Sequence, residues 1–276
     1  MKRFAVVLLA LMCGVMLGGG AAWAQTSGKA GAKAVNTKKW RKYDVGDIRF
    51  HDKATHSEGS KIYHDLISNP EEYIAECARE VLATLYFSPK DEVTPVESIY
   101  YTLEDKKGIS AKSGGNGKVH IFYSTRHIEN SYKDKDAQKV LFETRGVLLH
   151  ELTHAYQLEP QGIGSYGTNA TFWAFIEGMA DAVRVANGGF HGEKDRPKGG
   201  SYMDGYRRAG YFFVWLRDTK DSEFLRKFNR STLEVVPWSF DGAIKHVLGQ
   251  EYDIDTLWHE YLTAMGDIKQ GEEEKE

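Results

Sequence analysis

Two histidines and a glutamate share a short segment of this chain, in a spacing suited to metal-assisted hydrolysis. The segment is His150-Glu151-Leu152-Thr153-His154. Histidines at positions i and i+4 lie one turn apart on the same face of a helix, so both imidazoles can bind one metal ion. The carboxylate of Glu151 lies beside them, where it can take a proton from a water molecule activated by zinc. The spacing predicts a Zn²⁺ site at His150 and His154, with Glu151 as general base.

A catalytic zinc ion usually takes three protein ligands, so a further residue is needed. A third histidine in the order His-Glu-x-x-His-x-x-Gly-x-x-His is excluded, because the corresponding positions hold Gln157 and Pro160. The segment Phe175-Ile-Glu-Gly-Met-Ala-Asp181 supplies two acids instead. We expect Glu177 to be the third ligand, and Asp181 to accept the free imidazole N–H of the first histidine. The alternative is a solvated pair of acids, but their neighbours are largely apolar and buried acids need a partner.

Peptide hydrolysis also needs a donor that stabilises the oxyanion of the tetrahedral intermediate. The tyrosine-rich segment from Ser201 to Tyr211 is a candidate source, with Tyr206 as first choice and Tyr211 as second. Ordinary aromatic packing is an equally good explanation of either tyrosine. An extended peptide substrate needs a sheet edge to which it can add by main-chain hydrogen bonds, and the candidate edge is the strand Lys118–Ser124.

Hydrophobic periodicity predicts the elements that position these residues. Helices are predicted over Val140–Leu158, which carries the motif histidines, and over Phe172–Val185, which carries the two acids. Two strands are predicted on either side of the turn-prone stretch 112–118. The sum is an α+β domain with a small mixed sheet over a mainly helical half. The two predicted strands are Ser98–Leu103 and Lys118–Tyr123, and the remaining predicted helices are 70–85, Tyr206–Arg217, Ser222–Asn229 and Thr256–Ala264.

The first residues of the chain predict export. Lys2-Arg3 precedes the apolar run Phe4–Leu17 and the segment Ala22-Trp23-Ala24, whose small residues suit a signal peptidase. We expect cleavage after Ala24, a secreted or periplasmic protein, and no stable membrane insertion, since the apolar run is short for a membrane span. The predicted organisation is a signal peptide at 1–24, a flexible linker at 25–39, one folded domain at 40–270 and an acidic tail at 271–276.

Charge and cysteine content narrow the function classes. The formal net charge is −3, and this mildly acidic balance gives no indication of nucleic-acid binding. Cys77 is the one cysteine that remains after the expected cleavage. A single thiol cannot close an intramolecular disulfide, so the fold must rest on its core, with or without a metal ion. We interpret Cys77 as a small buried apolar residue rather than a nucleophile.

The motifs resemble those of the basic secretory protein family, often described as peptidases of plants and bacteria. The resemblance implies a zincin-like fold, with the active-site helix under a small sheet, and a secreted metal-dependent peptidase. It also supports His150, His154 and Glu177 as ligands and Glu151 as base. Trp40–Glu97 is less clearly matched, and is either packed on the catalytic half or an extension. The resemblance covers about Ile99 to Ala264 and rests on Gly146–Gln157, Phe175–Arg184, Gly205-Tyr206 and Asp255–Tyr261.

Other functions stay open at the level of the sequence. An inactive relative would keep the fold and bind a cell-wall or glycan ligand through its aromatic residues. A zinc amidase or a glycoprotein-directed peptidase would use the same site on a different substrate. A structural helical protein would carry the motif by chance. The intact Glu151 favours catalysis, because a purely structural metal site needs no base. The oligomeric state and the bond cleaved are not determined by these patterns.

Overall fold

The computed structural model describes residues 35–269 of the chain. This part contains four strands and nine α-helices, joined by loops and short 3-10 turns. This composition confirms the predicted α+β class. The expected signal peptide, most of the expected linker and the expected acidic tail lie outside the described residues. The strands are β1 (Asp47–Asp52), β2 (Ser98–Glu104), β3 (Ser110–Gly115) and β4 (Lys118–Ser124). The helices are α1 (Glu58–Leu66), α2 (Pro70–Leu85), α3 (Thr125–Ser131), α4 (Ala137–Tyr156), α5 (Ala170–Ala186), α6 (Tyr206–Thr219), α7 (Phe224–Glu234), α8 (Phe240–Leu248) and α9 (Ile254–Ala264).

The sheet is mixed and has the strand order β1-β2-β4-β3. Strands β1, β2 and β4 are parallel, and β3 pairs antiparallel with β4. Asn116 and Gly117 connect β3 to β4 with positive φ angles of 52° and 76°, the conformation that a tight hairpin requires. The expectation that Lys118–Ser124 is a sheet edge is therefore wrong, because β2 and β3 pair with it on both sides. The two edges of the sheet are β1 and β3.

One face of the sheet forms part of the hydrophobic core. Residues at alternate positions of the two central strands are buried, as the period of a strand requires. The hydroxyl groups of Tyr123 on β4 and Thr144 on α4 lie 3.2 Å apart, so the sheet packs directly on the helix that carries the histidine motif. The buried residues of this face are Ile99, Tyr101 and Leu103 of β2 and Val119, Ile121 and Tyr123 of β4.

The predicted helix over 70–85 is present as α2, and Asn69 caps its first turn. The side chain of Asn69 accepts a hydrogen bond from the backbone N–H of Glu72, and Pro70 occupies the first turn. Helix α2 packs on α4, and β1 pairs with β2. Trp40–Glu97 is therefore part of the same fold as the histidine motif, and not an extension of it.

Helices α5 and α6 cross at very short range because each has a glycine at the contact. A Cβ atom at Gly178 of α5 would lie 2.6 Å from the Cβ of Ala209 on α6. A Cβ atom at Gly210 of α6 would lie 2.9 Å from the backbone of Asp181 on α5. Helix α6 therefore packs closely on α5, the helix that carries Glu177 and Asp181, and fixes its position. Within residues 35–269, no helix has the length and apolar character needed to span a bilayer.

Candidate metal and active site

Helices α4 and α5 bring the predicted ligands together. Helix α4 begins after Asp136, whose carboxylate accepts hydrogen bonds from two backbone N–H groups of the first turn. Its apolar side chains Leu148, Leu149 and Leu152 are fully buried, and the opposite face carries the motif residues into a cleft. Helix α5 begins after Asn169, which caps it in the same way. The packing of α5 against α4 then directs its acids toward the histidines.

Three ligand atoms converge on one point. The Nε2 atoms of His150 and His154 lie 3.1 Å apart. The Oε2 atom of Glu177 lies 3.3 Å from the first and 3.6 Å from the second. All three atoms lie within 4.8 Å of one another, so a single ion can contact each of them. Two imidazole nitrogens and one carboxylate oxygen form the donor set that zinc accepts in catalytic sites.

The carboxylate of Glu177 provides a direct test of whether a cation fits. Its Oε2 atom is buried and accepts no hydrogen bond of acceptable geometry from residues 35–269. A buried polar atom without a partner is costly, and a charged oxygen more so. A metal ion between the three ligand atoms would remove that cost. The residues therefore fit a bound divalent cation.

Two of the ligands are oriented by hydrogen bonds from outside the ligand set. Asp181 Oδ1 lies 2.8 Å from His150 Nδ1, which directs the other ring nitrogen toward the metal position. The hydroxyl of Tyr166 donates to Glu177 Oε1 at 2.6 Å, which leaves Oε2 facing the imidazoles. Asp181 stands where the sequence predicted it. Tyr166 was not predicted, because it lies in the loop between α4 and α5, where no periodic pattern indicates its direction.

The two imidazoles have opposite proton affinities. Burial lowers the pKa of His150, but the nearby carboxylates of Asp181 and Glu177 outweigh it and raise the pKa to about 10. Burial and the charge of His150 lower the pKa of His154 to about 3. When no metal is bound, the extra proton of the pair therefore lies on His150. A metal ion must displace that proton before it can bind both nitrogens.

Glu151 lies beside the ligands without being one of them. Its side chain is buried, and burial raises its pKa, as does the nearby charge of Glu177. His150 and the side chain of Ser110 on β3 oppose this rise. A carboxylate with an increased affinity for protons is suited to accept one from water. The arrangement of Glu151 next to the metal position agrees with the predicted role of general base, which stays a prediction.

Tyr206 lies over the metal site, and Tyr211 does not. The ring of Tyr206 stacks on that of His150 with centroids 6.1 Å apart and an angle of 10°. Its φ angle of 42° is in the left-handed region, which is strained for a tyrosine and typical of functional positions. Burial and the charge of Glu177 raise the pKa of Tyr206, so its hydroxyl keeps its proton. The hydroxyl of Tyr211, the second choice, instead donates to the carbonyl of Gly192.

An open cleft of about 1000 Å³ surrounds these residues. Strand β3 forms one wall with residues from Ser110 to Gly114, and α4 and α5 form the floor. Tyr166 and Tyr206 contribute to the rest of the lining. The site is therefore accessible from solvent at the edge of the sheet.

Comparison with known proteins gives one finding. A family model described as "Peptidase of plants and bacteria" matches residues 45–261. The match includes all the residues that line the cleft. It also includes most of Trp40–Glu97, the segment before β2. No curated protein and no solved structure matches the chain.

Proposed function

We propose that this chain, which belongs to the family of peptidases of plants and bacteria, is a secreted peptidase that depends on zinc. The family match confirms the resemblance noted in the motifs, and its description indicates peptidase activity and a peptide or protein substrate. The proposal of zinc is carried by the convergence of His150, His154 and Glu177, whose ligand atoms lie within 4.8 Å of one another. The donor set of two nitrogens and one oxygen favours zinc over magnesium or calcium, which prefer oxygen ligands.

In the proposed reaction the chain's own residues move one proton and stabilise one charge. A zinc ion held by the three ligands would lower the pKa of water and polarise the scissile carbonyl. Glu151 takes a proton from the water that attacks the carbonyl carbon. It then gives that proton to the amide nitrogen as the carbon–nitrogen bond breaks, so a carboxylic acid and an amine are formed. The hydroxyl of Tyr206 donates a hydrogen bond to the oxyanion of the intermediate.

We propose that the substrate binds along β3 rather than along β4. Strand β3 is an edge of the sheet, so one side of its backbone has no strand partner within the described residues. The same strand lines the cleft from Ser110 to Gly114. An extended peptide that adds to this edge would lie across the metal position. Because the cleft is open to solvent, the enzyme is expected to cut within chains as an endopeptidase.

Export is proposed from the first residues of the sequence. The apolar run Phe4–Leu17 followed by Ala22-Trp23-Ala24 supports a cleaved signal peptide. Cys77 is buried and free, so the folded part relies on no disulfide. Mass spectrometry of protein secreted by the native host tests this proposal. The proposal predicts a mature N-terminus at Gln25. A secreted protein that still begins with Met1 would contradict the proposal.

The zinc-dependent mechanism is tested with Glu151→Gln, Glu177→Ala and the distant control Glu251→Gln. We expect one zinc per chain in the parent and in Glu151→Gln, with the rate of peptide hydrolysis reduced by about 100-fold or more in Glu151→Gln. We expect weaker zinc binding in Glu177→Ala, because one ligand is lost. The measurements are metal content and initial rates on a mixed peptide library.

Each other outcome of this experiment has a defined meaning. A parent without bound zinc, or a Glu151→Gln variant as active as the parent, contradicts the proposed mechanism. Stoichiometric zinc without cleavage of any peptide favours a zinc amidase acting on a non-protein amide, or a protein that binds glycans. The Glu251→Gln control is expected to match the parent in both measurements.

A further inference from the structure

Gln157 ends helix α4 and is held firmly beside the second histidine of the motif. Its backbone N–H donates to the carbonyl of Thr153 at 2.8 Å. Its own carbonyl accepts a hydrogen bond from the hydroxyl of Thr94 at 3.2 Å. The residue is 4% exposed, so its side chain has little freedom. It lies three residues after His154, on the same face of the helix.

The side-chain amide of Gln157 contacts the outer nitrogen of His154. Gln157 Nε2 lies 3.0 Å from His154 Nδ1. The other amide atom, Gln157 Oε1, is buried and accepts no hydrogen bond from residues 35–269. A buried carbonyl oxygen without a donor costs about 1–3 kcal/mol. The amide is therefore placed next to a ring nitrogen while its acceptor is unused.

This arrangement conflicts with a metal ion bound to His154. A neutral imidazole that binds a metal through Nε2 must carry its proton on Nδ1. An amide –NH₂ group and an N–H group cannot share a hydrogen bond, because both are donors. A half-turn about the Cγ–Cδ bond of Gln157 exchanges its oxygen and nitrogen at almost unchanged shape. After that exchange the unused oxygen accepts a hydrogen bond from the Nδ1–H group of His154.

We propose that Gln157 is the positioning residue of His154: its side-chain oxygen accepts the Nδ1–H of the metal-bound imidazole, as Asp181 does for His150. This inference deepens the proposed function and rests on it, since it presupposes a metal ion at the three ligands. It gives each ligand a hydrogen-bond partner, with Asp181 for His150, Gln157 for His154 and Tyr166 for Glu177.

The choice of an amide at this position has a chemical consequence. The carboxylates of Glu151, Glu177 and Asp181 would already surround a divalent cation bound at this site. A further carboxylate behind His154 would add negative charge and reduce the ability of the cation to polarise a carbonyl. A neutral acceptor orients the imidazole without that addition.

The inference is tested by zinc affinity and by the absorption spectrum of the cobalt-substituted protein. Gln157→Met keeps the length of the side chain and removes the acceptor. We expect its zinc dissociation constant to rise by about 10–100-fold, with a shifted cobalt band because the ring is no longer held. Gln157→Glu restores an acceptor, so we expect zinc affinity within a few-fold of the parent. Gln161→Met, at an exposed glutamine of the following loop, is the matched control.

A second measurement needs no variant. In the zinc-loaded parent, proton–nitrogen NMR correlation is expected to show slowly exchanging Nδ1–H protons for both His150 and His154. A slow proton for His150 alone contradicts the inference. So does unchanged zinc affinity in Gln157→Met, or an equal loss in Gln157→Met and Gln157→Glu, which would indicate packing rather than hydrogen bonding. A parent that binds no zinc contradicts the proposed function itself.

Discussion

The proton on His150 makes metal binding depend on pH. Its pKa is raised to about 10 in the metal-free protein, so the imidazole is protonated at every pH below that value. Zinc must displace this proton from His150, and the displacement becomes less favourable as the pH falls. We expect zinc affinity to rise about tenfold per pH unit between about pH 6 and pH 9. Competition titrations with a chelator at several pH values measure this slope.

The variant Asp181→Asn provides the control for this prediction. An amide at position 181 removes the negative charge that raises the pKa of His150. The pH dependence of zinc affinity is then expected to be shallower than in the parent. Equal slopes in the two proteins would show that the proton is held by another group.

Two tyrosines lie at the site, and they make different contacts. Tyr166 hydrogen-bonds the ligand Glu177, while Tyr206 stacks on His150. We expect Tyr206→Phe to lower kcat by about 100-fold with zinc affinity unchanged, because only an oxyanion donor is lost. We expect Tyr166→Phe to weaken zinc binding, because Glu177 loses its orienting donor. Steady-state kinetics and zinc titrations of both variants separate the two roles, and an exchange of these effects would reverse the assignments.

Most of the candidate site was predictable from the sequence because it lies on helices. The spacing of His150, Glu151 and His154 places them on one helical face, and that face does not depend on distant parts of the chain. Asp181 follows Glu177 by one turn for the same reason. Tyr166 was not predictable, since a loop has no periodicity. Gln157 had a usable signal in its position three residues after His154, and it was considered only as a failed metal ligand.

At the scale of elements, the contact between α5 and α6 controls the position of two site residues. A Cβ atom at Gly178 would lie 2.6 Å from Ala209 and 2.8 Å from the ring of Phe213. We expect Gly178→Ala to destabilise the protein by about 1–3 kcal/mol, because overpacking outweighs the gain in helix propensity. Zinc affinity should fall as well, since α5 carries Glu177. Urea unfolding and zinc titration measure the two effects.

Gly115 supplies a comparison for the α5–α6 prediction. A Cβ atom there meets nothing within 4 Å, and the residue is exposed at the end of β3. Gly115→Ala is expected to leave both stability and zinc affinity close to the parent values. A Gly178→Ala variant as stable as the parent would show that α6 can move away without cost.

The elements that the sequence missed are those that depend on tertiary pairing. Strand β1 alternates between exposed and half-buried residues, and β3 is rich in glycine and serine and mostly exposed. Neither is as rich in β-branched and aromatic residues as β2 and β4, which is the signal that predicted those two strands. They are strands because each pairs with a buried central strand. The missed helices α1, α3 and α8 are short, with nine, seven and nine residues, and offer too few turns for a periodic pattern.

At the scale of the whole molecule, one buried ion pair joins the loop before α6 to the C-terminal end of α9. The guanidinium of Arg196 donates to both oxygens of Asp267 at 2.7 and 2.8 Å. Their side chains are 3% and 1% exposed. Removing one partner of a buried pair leaves the other charge unpaired. We expect Asp267→Asn to lower the free energy of unfolding by about 3 kcal/mol, measured by urea denaturation.

The same pair predicts how stability changes in acid. The hydrogen bond from Arg196 holds the pKa of Asp267 below its ordinary value. Its contribution is complete above the pKa of an unfolded aspartate, about 4, and is lost as the pH falls through the lower pKa of the folded state. The parent should therefore lose stability below about pH 4 more steeply than Asp267→Asn. Parallel pH profiles would contradict this assignment.

The helices that carry the predicted ligands are held in place by contacts that need no ion, and this affects the order of folding and metal binding. The backbone at the end of α4 is tied to α2 by the hydroxyl of Tyr86, which donates to the carbonyl of Tyr156 at 2.5 Å. Helix α5 is held by its close packing against α6, which also needs no ion. Because the site is formed by these contacts, folding does not have to wait for a metal ion to bind. If the proposed zinc-dependent mechanism holds, we expect the polypeptide to fold without the metal and to become active only where the surrounding fluid supplies zinc.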